Sequence, residues 1–327
     1  MLTEFKKSLY ARAHSFGIHV KILRSQPLSL MGAVIILSFI MIALLAPILA
    51  PPTSGDPYIC PYVFPPSYLP PNPTLPNSEH LFGTLKGYDL YYGCIWGTRI
   101  AFYTGILTTL IALVIGLIIG SIAGYFEGVV DELLMRFTDA FFALPGIAYV
   151  LLVVAAMPLK WEIPLGLFKL TIVLSSIDKI ILALAITGWP PYARLVRAEI
   201  KKVKQQDFVE AAKAIGCSRL RLLTKHILPS SINPVLTLAF LNIGGVVLMA
   251  STVSFLGFGP RLGYAEWGSI ISNSKDYLAF TSEATFQFAL LCLIPAAFLS
   301  TFVLGWSLLG DALVYVMDPT LGRRYQT

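Results

Sequence analysis

Uncharged apolar runs alternate with polar connections along this chain, and their lengths fix the architecture. Leu28 to Ala50 is uncharged and long enough to span a bilayer, and so is Ile100 to Phe126. Ala140 to Leu159 is a third run, interrupted by Pro145 and Pro158. Ile180 to Ala193 has only fourteen uncharged residues and spans only if it starts near Ser176, with Asp178 and Lys179 at the outer interface. Ser230 to Gly259 and Ala284 to Gly310 are the fifth and sixth runs. A hydrocarbon core of about 30 Å needs about 20 helical residues. Backbone groups in lipid must be satisfied internally, so runs of this length predict helices, not barrel strands. The expected class is an all-α integral membrane protein with six transmembrane helices.

Composition agrees. Hydrophobic residues make up 56% of the chain and charged residues 13%, too few charges to cover a soluble domain, which carries about 25%. Mean hydropathy is +0.73. The first run is too long for a signal-peptide core, and Ala46-Pro47-Ile48-Leu49 is a poor cleavage site. Lys6, Lys7, Arg12, Lys21 and Arg24 before it read as a retained cytoplasmic anchor.

With the N-terminus inside and six spans, the cytoplasmic segments hold 17 of the 24 Lys and Arg. This positive-inside bias places both termini in the cytoplasm of a multi-pass plasma-membrane protein. The expected organisation is a cytoplasmic segment 1–26, helix 1 over 27–50 and an extracytoplasmic proline-rich lobe over 51–98. A core of helices 2 to 6 covers 99–310, with a cytoplasmic loop at 194–229, and 311–327 is a cytoplasmic tail. Pro65-Pro66 and Pro70-Pro71 exclude helix from the lobe.

The basic inner loop carries the most specific signal. Asp207 can cap a helix with Glu210 at its third position, a capping box. Val209, Ala211, Ala212 and Ile215 then offer small apolar surface. Gly216 fits a C-terminal cap with positive φ. Ser218 can start a second short helix through Leu223, and Leu228-Pro229 suits the first turn of the fifth span. On charge and periodicity alone, this unit is equally an amphipathic helix resting on lipid headgroups.

The order Glu210-Ala211-Ala212, Gly216, Ile227-Leu228-Pro229 resembles the coupling loop of permease subunits of ABC importers. Further segments resemble the dipeptide and oligopeptide branch, and within it the subunit with a long first outer loop. These are His80-Leu81-Phe82-Gly83-Thr84, Asp131 to Arg136 with Asp139, Ser254 to Gly259 and Gly310-Asp311-Ala312-Leu313. The resemblance implies a type I importer permease fold and a coupling helix at Asp207, Glu210, Ala211, Ala212, Gly216, Leu228 and Pro229. It implies a second homologous permease, two ATP-binding cassette ATPases and an extracytoplasmic substrate-binding protein as partners, with membrane lipid around the chain and no nucleic acid. The implied cargo is di- or oligopeptides, carried by alternating access; oligosaccharides and nickel are the alternatives within the branch.

The chain lacks the G-x-x-x-x-G-K-[ST] phosphate loop, a catalytic Ser/His/Asp cluster and a metal-ligand spacing. The expectation is a non-enzymatic transport subunit that binds no cofactor itself, with ATP and Mg²⁺ on the ATPases. A stand-alone secondary transporter or channel would place ionisable residues inside the spans; spans one, two, five and six have none. Span five instead offers Asn242, Ser251, Thr252 and Ser254, suited to a polar path or to interhelical hydrogen bonds. Met249 and Phe255 are candidate gate residues or ordinary packing. Gly116 and Gly120 form a G-x-x-x-G pattern that reads as helix packing within one subunit ahead of dimerisation. Cys60 and Cys94 both fall outside, where oxidation is allowed, and form a candidate disulfide.

Overall fold

The computed structural model describes residues 27–52, 55–63, 73–165, 168–278 and 288–317. Segment 1–26 with its basic residues, the proline runs at 65–66 and 70–71, the start of the sixth apolar run at 284–287 and the tail from 318 lie outside the described residues.

Helix α1 (Pro27–Leu49) is the first span. It exposes the large apolar side chains Leu28, Leu37, Leu44 and Ile48 along its length, as a membrane span can. Its inner face meets the sixth span, α11 (Leu290–Met317), through small residues: a Cβ on Gly32 would lie 2.6 Å from the Leu308 Cβ.

The outer lobe leads into a hairpin, β1 (Thr84–Leu85) and β2 (Tyr88–Asp89). Lys86 (φ 48°) and Gly87 (φ 86°) form its two-residue turn, the left-handed pair that matches strand twist. Asp89 then caps helix α2 (Leu90–Tyr125), accepting from the Tyr92 amide at 2.8 Å. The cap starts the second-span helix at Leu90, ahead of the apolar run and inside the segment read as lobe. At 36 residues the helix is about 54 Å long, so its first turns stand outside the bilayer.

Helix α3 (Val129–Phe142) is followed by α4 (Gly146–Ala156), and their axes differ by 91°. The third apolar run therefore is not one helix from Ala140. Pro145 has no amide hydrogen to donate and disfavours helical geometry at Leu144, so the chain turns there. A hairpin not anticipated from the sequence follows, β3 (Lys160–Leu165) paired antiparallel with β4 (Phe168–Val173).

The fourth expected span falls on two helices, neither of them long and apolar enough to cross a membrane, so the described residues support four or five of the six expected spans. Helix α5 (Ser176–Gly188) opens with a full capping box between Ser175 and Asp178. Trp189 keeps helical dihedrals and passes the chain into α6 (Pro190–Lys204). Gly116, Gly120 and Gly124 of α2 face α6 so closely that a Cβ on Gly116 would lie 2.4 Å from the Tyr192 Cβ, and one on Gly120 2.5 Å from the Ala193 carbonyl. The small-residue stripe packs two helices of one subunit, as its pattern predicts.

After the inner loop comes α9 (Leu228–Val253), the fifth span, which a π-helical turn (Ser254–Phe258) ends at Gly257, φ 97°. An outer helix, α10 (Trp267–Ser274), precedes α11. Among the described residues four helices are long and apolar enough to cross a membrane, five if α3 and α4 count as one broken span.

Candidate functional site

The inner loop folds as two short helices. The first, α7, runs Asp207–Ala214. Its N-cap is Gln206, with no side-chain cap bond, so the capping box expected from Asp207 and Glu210 does not form. The helix begins one residue early, and both carboxylates lie in its first turn, where they face the positive end of the helix dipole.

Its C-terminus follows the sequence closely. Gly216 takes φ 82°, its amide donates to the Lys213 carbonyl at 3.0 Å, and the Cys217 amide donates to Ala212 at 3.1 Å. These two bonds define a Schellman cap. Ser218 then stands at the N-cap of α8 (Arg219–Leu222) without a side-chain cap bond, and a π-helical turn (Leu223–Ile227) joins α8 to Leu228 and Pro229 at the start of α9.

The loop's apolar residues divide between two faces. Val209 and Ala212 are buried with Leu222 and Ile227 against α2 and α6 and offer nothing outward. Ile215 is 86% exposed, Leu220 73% and Phe208 41%. With exposed Glu210 and Ala211 they make an outward apolar patch on a rigid corner. The sequence reading named Ile215 but missed Phe208 and Leu220. Their signal is spacing: Phe208 and Leu220 stand one and two residues before the buried Val209 and Leu222, which turns them off the buried face of each helix.

An ion cluster fixes the root of this loop. Asp131 of α3 is buried and accepts from Arg197 through both oxygens, the Arg197 Nη2 at 2.7 Å, and from Lys201 Nζ at 2.5 Å. The hydrogen-bonded guanidinium, with Lys201 beside it, pulls the Asp131 carboxyl down to about 2 despite its burial. Lys204 reaches Glu127 at 2.8 Å and lowers that carboxyl as well. Arg194 pairs with Asp139 at 2.5 Å. Each of these bridges runs from α6 back to α3 or to the bend preceding it, so α6 and α3 are tied together at the root of the loop.

Above this cluster lies a cavity of about 280 Å³ bounded by α2 to α6 and α9. Asn242 and Met249, both expected on the path, line it. Asn242 donates Nδ2 to the Tyr192 phenolic oxygen at 3.1 Å. Thr108 and Thr109 of α2 also line the cavity, and sequence reading did not single them out.

The remaining four path candidates lie elsewhere. Ser251 and Ser254 are buried beside Glu266, and Ser251 Oγ donates to Glu266 Oε1 at 3.4 Å. Thr252 donates to the Leu248 carbonyl at 2.8 Å. Phe255 sits at the outer end of α9, with Lys275 Nζ 5.5 Å from its ring centre.

Residues 116–323 match the family described as binding-protein-dependent transport system inner membrane component. The dipeptide transport system permease protein DppC of Alkalihalophilus pseudofirmus is 31% identical over 306 residues, covering 92% of this chain and 88% of that protein. The glutathione transport system permease protein GsiD of Escherichia coli is 33% identical over 247 residues, covering 75% and 74%. Among solved structures, the inward-facing MetNI methionine ABC transporter aligns with 69% of this chain and 97% of its own at 14% identity and a TM-score of 0.47.

The chain belongs to the binding-protein-dependent inner-membrane permeases. It is a multi-pass membrane subunit of an ABC importer, a transport component and not the ATPase, in a family that works with ATPase and binding-protein partners.

The junction between α9 and α10 is held by Glu266, which sequence reading passed over. Its carboxylate accepts from the Gly268 and Ser269 amides at 2.9 and 2.7 Å, capping α10, and from Ser251 of α9. Burial raises this carboxyl, while the amide bonds favour its charged form. Its lone position in Glu266-Trp267-Gly268, just before a helix, was the available clue.

The disulfide expected between Cys60 and Cys94 is absent: both are buried free thiols. Cys60 packs with Ala46, Ala50 and Trp96, and Cys94 with Leu85, Ile270 and Leu291, in two different apolar clusters. Burial pushes the Cys60 thiol up to about 12.

Proposed function

We propose that this permease forms one half of the membrane path of an ATP-driven importer for di- or oligopeptides. Its termini lie in the cytoplasm, a second homologous permease completes the path, and two ATPases dock below, one on each coupling loop. A binding protein delivers the peptide from outside. The observation that carries the coupling role is the exposed Phe208, Ile215 and Leu220 on a corner fixed by the Gly216 cap. A rigid apolar knob transmits motion because it cannot deform independently of the helices behind it.

The peptide assignment is supported by relatives that are named for dipeptide and glutathione transport. The test is reconstitution. The purified set of two permeases, two ATPases and binding protein is expected to import labelled dipeptides only with ATP, and this chain alone to import none. Uptake by the single chain would overturn the assignment.

A further inference from the structure

The cavity beside Asn242 has a chemistry the coupling role does not use. Helical threonines in this chain mostly return their hydroxyl to the carbonyl four residues back: Thr98 to Cys94, Thr138 to Leu134, Thr187 to Ala183 and Thr252 to Leu248. Thr104, Thr108 and Thr109 do not, and of these three only Thr108 and Thr109 line the cavity. Both are buried, at 1% and 5% exposure, both line the cavity, and neither hydroxyl has a partner among the described residues. Buried hydroxyls without partners are uncommon in folded proteins, and a ligand is one thing that satisfies them.

Across the cavity the Tyr192 oxygen accepts from Asn242, which leaves the Tyr192 hydrogen free to donate and the Asn242 carbonyl free to accept. Apolar walls come from Phe141 and Met249. No Asp, Glu, Lys, Arg or His lines the space. At about 280 Å³ it falls just below the range of about 300–1,000 Å³ for sites that enclose a whole small ligand, so it suits part of a solute.

Resting on the peptide reading above, we propose that this cavity is a side pocket for one uncharged, hydrogen-bonding side chain of the transported peptide, such as tyrosine or glutamine. Thr108, Thr109, Tyr192 and Asn242 would bond its polar end. The charged peptide termini stay outside, in the shared path. A lysine or glutamate side chain would enter with no counter-charge to meet it, and burying an unpaired charge is strongly unfavourable. The permease would then discriminate among peptides after the binding protein has released them.

The experiment uses the complete reconstituted importer at saturating binding protein, with Ala-Tyr, Ala-Gln, Ala-Lys and Ala-Glu as labelled probes. Comparing ratios between permease variants cancels the preference of the binding protein. The Ala-Gln to Ala-Lys uptake ratio is expected to fall about tenfold in the Thr108→Val/Thr109→Val pair, the scale of the net contribution of an ordinary hydrogen bond. The Thr108→Ser/Thr109→Ser pair keeps the ratio. Tyr192→Phe, which removes one hydroxyl and keeps the ring, lowers it independently of any packing change at the threonines. Import of all four probes with ratios unchanged in the valine pair and in Tyr192→Phe overturns the pocket and leaves the peptide reading standing. Failure of the wild-type importer to take up any of the four removes the peptide reading and the pocket with it.

Discussion

Lys201 Nζ lies 2.5 Å from an oxygen of Asp131, on the carboxylate that Arg197 also grips. The two cations sit four residues apart on α6 and therefore on one face of that helix. Asp131 sits in the first turn of α3, where its charge also suits the helix dipole. One carboxylate thus joins α3 to α6, the helix that leads directly into α7.

Asp131→Asn leaves two cations facing a neutral amide. We expect a loss of about 2–3 kcal/mol of stability, below the range for fully buried pairs because Arg197 and Lys201 are about a third exposed. Thermal unfolding of the purified importer measures this. Transport should fall further than ATP hydrolysis, because the lever is loosened while the ATPases are untouched. Equal loss of both would contradict the lever role.

The same carboxyl sets a pH window. Its folded value of about 2 lies below the ordinary 3.8, so its stabilising contribution is complete above about pH 4 and is lost as pH falls toward 2. Unfolding midpoints of wild type and Asp131→Asn should keep a constant gap from pH 8 to 5 and converge below pH 4. Convergence already at pH 6 would show that the cluster is not as drawn.

Gly216 has open space where a Cβ would be, so its constraint is the φ of 82° alone. Gly216→Val should cost about 1–2 kcal/mol locally and tilt α7. Membrane insertion should survive, while stimulation of ATP hydrolysis by loaded binding protein is lost. Unchanged stimulation and uptake would sink this account of the loop.

Gly120 is constrained by space instead. A Cβ there would lie 2.5 Å from the Ala193 carbonyl and 2.7 Å from the Val196 Cβ. Gly120→Val must separate α2 from α6 and is expected to cost about 3 kcal/mol, the upper end of the usual range for overpacking. Its readout is loss of monodisperse protein on detergent extraction, with Gly245→Ala as the control, since Gly245 has nothing within 4 Å of a Cβ.

Cys60 and Cys94 should both resist maleimide in the folded protein and both label after unfolding without reductant. Burial and a thiol pushed up to about 12 keep Cys60 protonated at neutral pH. A disulfide-linked peptide in non-reducing mass spectrometry would reverse this.

Local rules account for what the sequence alone determined. The lengths of the apolar runs place the spans at Leu28, Ile100 and Ser230, because lipid demands helices of fixed length. The Gly216 cap, the Pro145 break and the Gly116–Gly120 packing stripe were legible because each depends on one residue's backbone or missing side chain. Gly216-Cys217 closing onto Lys213 and Ala212 is contained within six residues.

Tertiary structure decided whatever depends on which face of a helix meets which neighbour. Ser251 and Asn242 look alike as polar residues of one span, yet one bonds Glu266 at the outer end and the other opens on the cavity with Tyr192. Thr108 and Thr109 become distinctive only when their unpartnered hydroxyls are found on residues of the cavity wall. Cys60 and Cys94 shared a compartment on paper, but packing set them in separate clusters. Asp131 meets Arg197 across 66 residues of chain. Sequence spacing carries helix periodicity, whereas the rotation of one helix about another is set by side-chain packing among residues far apart in the chain.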